Sequence, residues 1–207
     1  MYLLTLVLGI VLLPEAFTLR CYECTSTLAG TCPETTTQCP SEKNQCAALR
    51  VVSYAGGSQN IYWTEKSCAV SEECGEHSLN FGVSRIVRIS KCCSSDLCNI
   101  QRVPEPRETN PNGRKCFTCD EQTCNATLNC LGNEDRCISA TVKKTQQNET
   151  MKGCASKALC SNKEFARIIG HSATRWRCCY GDYCNSASST SAGLMLLVAP
   201  LISLVLS

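Results

Sequence analysis

The sequence predicts an all-β, disulfide-rich protein built from two tandem units. Three observations carry this: the cysteine content, an internal repeat in the cysteine spacing, and strand-like runs at matching places in both repeats. Of 207 residues, 20 are Cys, which is the proportion of a disulfide scaffold. Aromatic residues make up 6% and charged residues 18%. A chain so poor in large apolar side chains outside its two ends does not rely on one big core. That argues against a large α/β enzyme or a helical bundle. A formal net charge of +2 leaves no electrostatic footprint for nucleic acid.

The cysteines fall at 21, 24, 32, 39, 46, 68, 74, 92, 93 and 98, then at 116, 119, 124, 130, 137, 154, 160, 178, 179 and 184. The steps are 3, 8, 7, 7, 22, 6, 18, 1 and 5 in the first set and 3, 5, 6, 7, 17, 6, 18, 1 and 5 in the second. Six of the nine steps agree, which marks a duplication. Both sets close alike, as Cys92-Cys93-Ser94-Ser95-Asp96-Leu97-Cys98-Asn99 and Cys178-Cys179-Tyr180-Gly181-Asp182-Tyr183-Cys184-Asn185. Between them Pro104, Pro106 and Pro111 sit among polar residues and read as a linker. Each unit is too small to stand on hydrophobic burial, so each needs covalent staples. Ten cysteines admit on the order of a thousand pairings, and spacing alone selects none.

The local signals are β. Cys46 to Tyr54 reads as a strand, Gly56-Gly57-Ser58 as a turn and Ile61 to Thr64 as the return. Val83 to Ser90 favours another strand. In the second unit Cys137 to Lys143 is the matching strand, and Gln146-Gln147-Asn148-Glu149 stands where the first copy has its glycine pair. Lys163 to Gly170 has the pattern of a short helical turn.

The two ends point to a compartment. Leu3 to Leu13 is an apolar run of signal-peptide length, and Ala16-Phe17-Thr18 offers small residues at the cleavage positions, so cleavage is expected before Leu19. Near the other end, small polar residues from Asn185 to Ala192 precede the uncharged apolar stretch Leu194 to Leu206. That order matches a glycosylphosphatidylinositol (GPI) attachment signal. The candidate attachment residues are Asn185, Ser186 and Ser188. Plain secretion is the alternative.

The motif Leu19-Arg20-Cys21-Tyr22-Glu23-Cys24, ten cysteines per unit and the closing C-C-x-x-x-x-C-N resemble the LU superfamily, the three-finger fold of the urokinase receptor, lymphocyte-antigen-six proteins and snake toxins. Asn112-Gly113-Arg114-Lys115-Cys116 and the Lys152–Cys160 segment are also similar to gamma-type phospholipase inhibitors, which carry two such units. The resemblance implies two tandem three-finger (LU) domains. Its layout is a signal peptide over 1–18, domains over 19–99 and 115–185, a Pro-rich linker over 100–114, and a removed GPI signal over 186–207. It implies the pairing Cys21–Cys46, Cys24–Cys32, Cys39–Cys68, Cys74–Cys92 and Cys93–Cys98. In the second unit it implies Cys116–Cys137, Cys119–Cys124, Cys130–Cys154, Cys160–Cys178 and Cys179–Cys184. It further implies that Asn99 and Asn185 hydrogen-bond the disulfide-rich base.

Chemistry other than binding finds little support. The two C-x-x-C motifs, Cys21–Cys24 and Cys116–Cys119, lie at strand starts in an even cysteine set, so structural bridges are expected rather than zinc or redox sites. His77 and His171 are read as lying in exposed polar stretches, and no catalytic triad, metalloprotease or phosphate-loop motif occurs. The expectation is therefore no catalytic residue, no metal and no cofactor. Asn125-Ala126-Thr127 and Asn148-Glu149-Thr150 are N-glycosylation sequons. With both in the second unit, the first is expected to be the freer surface. Tyr54, Tyr62 and Trp63 on its second finger are candidate partner contacts, with one of Tyr62 and Trp63 packed inward and the other exposed, since adjacent strand residues face opposite ways. Arg85 and Arg88 are read as solvated. Trp176, Phe165, Ile168 and Ile169 are read as core between fingers.

The functional expectation is a GPI-anchored receptor or co-receptor module that binds an extracellular or cell-surface protein. An antagonist of a secreted phospholipase or another secreted protein is the alternative.

Overall fold

The computed structural model describes residues 18–26, 32–107, 109–120, 123–144, 147–161 and 173–186. The signal segment up to residue 17, the Lys163–Gly170 stretch with Phe165, Ile168 and Ile169, His171, and the apolar tail lie outside the described residues. The protein is mostly strand. The strands are β1 (Arg20–Thr25), β2 (Thr35–Gln38), β3 (Gln45–Ala55), β4 (Ser58–Ala69), β5 (Gly75–Asn80), β6 (Ser84–Cys93), β7 (Pro111–Thr118), β8 (Ala126–Leu131), β9 (Arg136–Lys144), β10 (Gln147–Ala155) and β11 (Ala173–Cys179).

The β3–β4 hairpin turns at Gly56 and Gly57, whose φ angles are 57° and 83°. Two successive left-handed residues make the tight turn whose twist suits a hairpin, and only glycine adopts both at no steric cost. Its counterpart differs from the expectation. β10 begins at Gln147, which pairs with Lys144 of β9, and Asn148 and Glu149 pair with Lys143 and Val142. Gln147, Asn148 and Glu149 are therefore strand, not turn. A polar run at a hairpin end satisfies a strand as well as a turn when the side chains reach solvent.

The structure contains the disulfides Cys21–Cys46, Cys24–Cys32, Cys39–Cys68, Cys74–Cys92 and Cys93–Cys98. The second set is Cys116–Cys137, Cys119–Cys124, Cys130–Cys154, Cys160–Cys178 and Cys179–Cys184.

The chain packs into two compact units whose bounds differ from those of the cysteine repeats. Among the described residues, unit 1 takes those within 1–50, 63–75 and 89–105, and unit 2 those within 51–62, 76–88 and 106–207. The outer parts of β3 to β6 thus belong to unit 2.

In unit 1, β1 pairs antiparallel with β2, from Arg20 opposite Gln38 to Glu23 opposite Thr35, and with β4 at Cys24 and Thr25. The buried cluster at its base is sulfur: Cys21, Cys39, Cys46 and Cys68, with Leu19, Cys93 and Cys98 against them. Asn99 closes this base. Its side-chain oxygen accepts from the Tyr22 N–H at 3.0 Å, and its amide donates to the carbonyls of Tyr22 at 2.9 Å and Ala47 at 3.0 Å. Asp96 accepts from the Arg20 N–H, and the Leu97 N–H reaches the Arg20 carbonyl. Leu97 adopts the left-handed conformation, φ 54°.

In unit 2 the same device recurs. Cys116, Cys130, Cys137 and Cys154 form the base. Asn185 accepts from the Phe117 N–H and donates to the carbonyls of Phe117 and Ile138, each at 2.9 Å. Tyr183, φ 56°, donates from its N–H to the Lys115 carbonyl. Asp182 accepts from the Lys115 N–H, and this bond, followed by the Arg114 guanidinium at 2.9 Å, holds its carboxyl below the usual carboxylate range.

Unit 2 also has a hydrocarbon core of Leu79, Phe81, Ile138, Ala140, Ala155 and Leu159, with Met151 and Trp176 packed on it. Trp176 thus takes the core position expected of it. Fully burying a residue such as Leu79 or Phe81 contributes ~1.5–3 kcal/mol. β5 joins this core by pairing with β10, Asn80 opposite Cys154 and Leu79 opposite Ala155. Gly153 permits that approach, because a Cβ there would lie 1.9 Å from the Asn80 carbonyl oxygen.

Two predictions follow from this packing. Asn99→Asp replaces two buried donors with an acceptor facing two carbonyls, so guanidinium unfolding of the oxidised protein should show a loss of about 2–5 kcal/mol. Gly153→Ala should cost ~1–3 kcal/mol by overpacking and accelerate amide exchange at Leu79 and Asn80, with unit 1 exchange unchanged.

Candidate binding site

The residues expected to contact a partner do not form one cluster. Tyr62 is exposed and Trp63, its neighbour on β4, is half-buried, within a strand whose burial rises steadily from its start to its end and does not alternate. Ile61 is also exposed. Tyr54 is half-buried on β3 and turned toward a different feature, a cleft within unit 2.

That cleft has a volume of about 510 Å³, and its lining includes Tyr54, Val83, Arg85, Arg107, Thr109 and Leu128. This is the size class of ligand sites. A buried carboxylate orders it. Glu134 is 0% exposed. Its carboxylate accepts from Ser78 Oγ at 2.6 Å, Arg85 Nε at 2.8 Å, Leu131 N at 2.9 Å and Asn80 Nδ2 at 3.1 Å. Its own N–H donates to the Leu131 carbonyl, closing the turn. Four donors on two oxygens are what a buried charge requires.

The same turn fixes the chain on either side of it. Gly132, with φ 52°, donates from its N–H to the Asn110 carbonyl, and a Cβ there would lie 2.8 Å from Thr109. Asn80 Oδ1 accepts from the Gly82 N–H at 2.9 Å, which shapes the bend that carries Val83. Val83 is 69% exposed. The Arg85 guanidinium stands 5.9 Å from the centre of the Tyr54 ring, within cation–π range.

Two expectations are corrected here. Arg85 is not solvated: its side chain is 14% exposed and bonded to Glu134. His77 is not in an exposed stretch either, being buried on β5. Arg88 is half-buried. Glu134 went unnoticed in the sequence because Asn133-Glu134-Asp135-Arg136 reads as an ordinary solvated turn. Its side-chain partners lie 49 to 56 residues away, so no local pattern announces them. The sulfur clusters Cys21, Cys39, Cys68 and Cys116, Cys130, Cys154 are all committed to disulfides, which removes the thiolates a metal would need. The sequon residues Asn125, Thr127, Asn148 and Thr150 are all exposed. Among the described residues no helix is long and apolar enough to cross a membrane.

A buried pair with one partner removed costs ~3–5 kcal/mol, whereas replacement of both by apolar residues is often near neutral. Glu134→Ala should therefore destabilise unit 2 by that amount. The pair Glu134→Leu with Arg85→Met should recover in thermal unfolding only the part owed to the stranded guanidinium, since Ser78 Oγ, Asn80 Nδ2 and the Leu131 N–H still lack their acceptor. Additive losses in the double variant would contradict the coupling.

Comparison with known proteins places this architecture. The family model described as the u-PAR/Ly-6 domain matches twice, over residues 18–101 and 112–187. The chain is 25% identical to the urokinase plasminogen activator surface receptor of Bos taurus over 183 residues, 81% of this chain and 54% of the receptor. It is 27% identical to Ly6/PLAUR domain-containing protein 8 of Bos taurus over 156 residues, 69% of this chain and 66% of that protein. Against the Mus musculus urokinase receptor the identity is 26% over 186 residues, 84% of this chain and 56% of the receptor. The chain spans between half and two thirds of the length of these relatives.

Proposed function

Because the chain belongs to the u-PAR/Ly-6 domain family, we propose that it is a non-catalytic protein-binding receptor or co-receptor module on the outer face of the plasma membrane, held there by a GPI lipid. The observation that carries the binding reading is the pairing of a rigid sulfur base with exposed side chains on the fingers. Rigid elements lose little entropy on association, and exposed aromatic side chains are the residues that dominate protein interfaces. Tyr62 is such a residue here, and the apolar Ile61 is exposed beside it.

The attachment reading rests on the small polar residues followed by an apolar tail. Of the candidates, Asn185 is the least suited. Its side chain is buried and spans Phe117 and Ile138, so a lipid amide on its own carbonyl would load the clasp of the base. Ser186 is exposed, and Ser188 lies outside the described residues. The exposed sequons make Asn125 and Asn148 the proposed glycan sites. Urokinase is not assigned as the ligand, since the chain spans only about half the length of the receptors that carry that name.

The test uses cells expressing the full chain. Phosphatidylinositol-specific phospholipase C should release it, and crosslinking on intact cells should capture a discrete extracellular protein. Ile61→Asp with Tyr62→Ala should lower that capture about tenfold or more, with the unfolding midpoint unchanged. Retention after phospholipase treatment would contradict the anchor. Undiminished capture by the double variant would contradict the finger contact.

A further inference from the structure

We propose that the unit 2 cleft receives an acidic side chain from a peptide segment of a partner protein, with apolar residues flanking the acid. This rests on the reading of the chain as a protein-binding module and names where and by what chemistry it binds.

The argument starts from charge. Among the described residues the cleft lining contains Arg85 and Arg107 and no Asp or Glu. Arg107 is exposed at the cleft, whereas Arg85 is held by its Nε bond to Glu134. That bond uses one side of the guanidinium. Its Nη2 is withdrawn from solvent and has no hydrogen-bond acceptor among the described residues, and the same is true of Thr109 Oγ1, another lining residue. A buried donor without an acceptor costs ~1–3 kcal/mol. An incoming carboxylate is met by the exposed Arg107 and by the charge of Arg85, already fixed by Glu134 and Tyr54, and a small opening of the wall lets it accept from these buried donors. Charge-assisted bonds of this kind are the strong ones.

The rest of the wall selects the neighbours of the acid. Val83, Leu128, Leu131 and Pro106 present apolar surface beside the two arginines. A partner segment of the pattern apolar–acidic–apolar therefore matches both halves of the lining. A small inorganic anion would leave the apolar half unused.

The test uses the intact protein released from expressing cells, titrated calorimetrically with two probes, the blocked tripeptides acetyl-Leu-Asp-Leu-amide and acetyl-Leu-Asn-Leu-amide. The Asp peptide should bind about tenfold or more tightly than the Asn peptide, as one charge-assisted bond implies. Hydrogen exchange should slow in residues 80–88 and 106–110. Arg107→Glu, an exposed change, should abolish the preference for Asp, and Thr109→Val should weaken both peptides several-fold. Arg85 itself is left alone, since its loss strands Glu134. Equal binding of the two peptides, protection elsewhere, or tighter binding of a sulfated disaccharide would each overturn the assignment. If these fail while the Ile61 and Tyr62 variant still loses its captured partner, the cleft assignment falls and the receptor reading stands.

Discussion

Covalent stapling is the constraint on which the rest of this structure depends. The clusters at the two bases are built of cystine sulfur rather than leucine or phenylalanine. A bridge typically contributes ~2–4 kcal/mol by restricting the unfolded chain. With that contribution the chain forms hairpins whose side chains need not be apolar, which leaves finger positions such as Ile61 and Tyr62 available to solvent. Each base is then sealed by one asparagine whose amide takes the place of a missing strand. Asn99 and Asn185 make the same three kinds of bond to equivalent backbone groups.

The second organising feature is the burial of Leu79 and Phe81 in the hydrocarbon core of unit 2. The cysteine repeat marks where the staples fall, and hydrocarbon burial decides which segments pack as one body. The two criteria divide the chain differently, because the residues that bury hydrocarbon together need not be those that share a staple. Gly153 is the local concession that allows it, since any side chain there would strike the Asn80 carbonyl. Glu134 is the polar counterpart, binding Ser78, Asn80 and Arg85 through one carboxylate.

Much of the architecture was legible beforehand because its signals are local or repeated. The strand from Cys46 to Tyr54 and the Gly56-Gly57 turn follow from composition and turn chemistry. The equivalence of Asn99 and Asn185 follows from the duplication. Arg85, His77 and Glu134 were not legible because the residues that bury them lie far away in the chain, whereas the strand at Gln147 was hidden by a local ambiguity. Arg85 and His77 look solvated until β5 and the Glu134 turn are brought together. Glu134 sits among charged neighbours that are themselves less buried. Gln147 to Glu149 read as a turn because their polarity was attributed to a loop, whereas a hairpin end exposed to water accepts polar residues within the ladder.

The most direct measurement is disulfide mapping by mass spectrometry on the protein taken from expressing cells, alkylated without reduction and digested. The account predicts no alkylated cysteine. It predicts ten bridges in two sets, one closed by Cys93–Cys98 and the other by Cys179–Cys184, with none running between residues 21–98 and 116–184. Free thiols at these positions, or a bridge that joins the two sets, would contradict it.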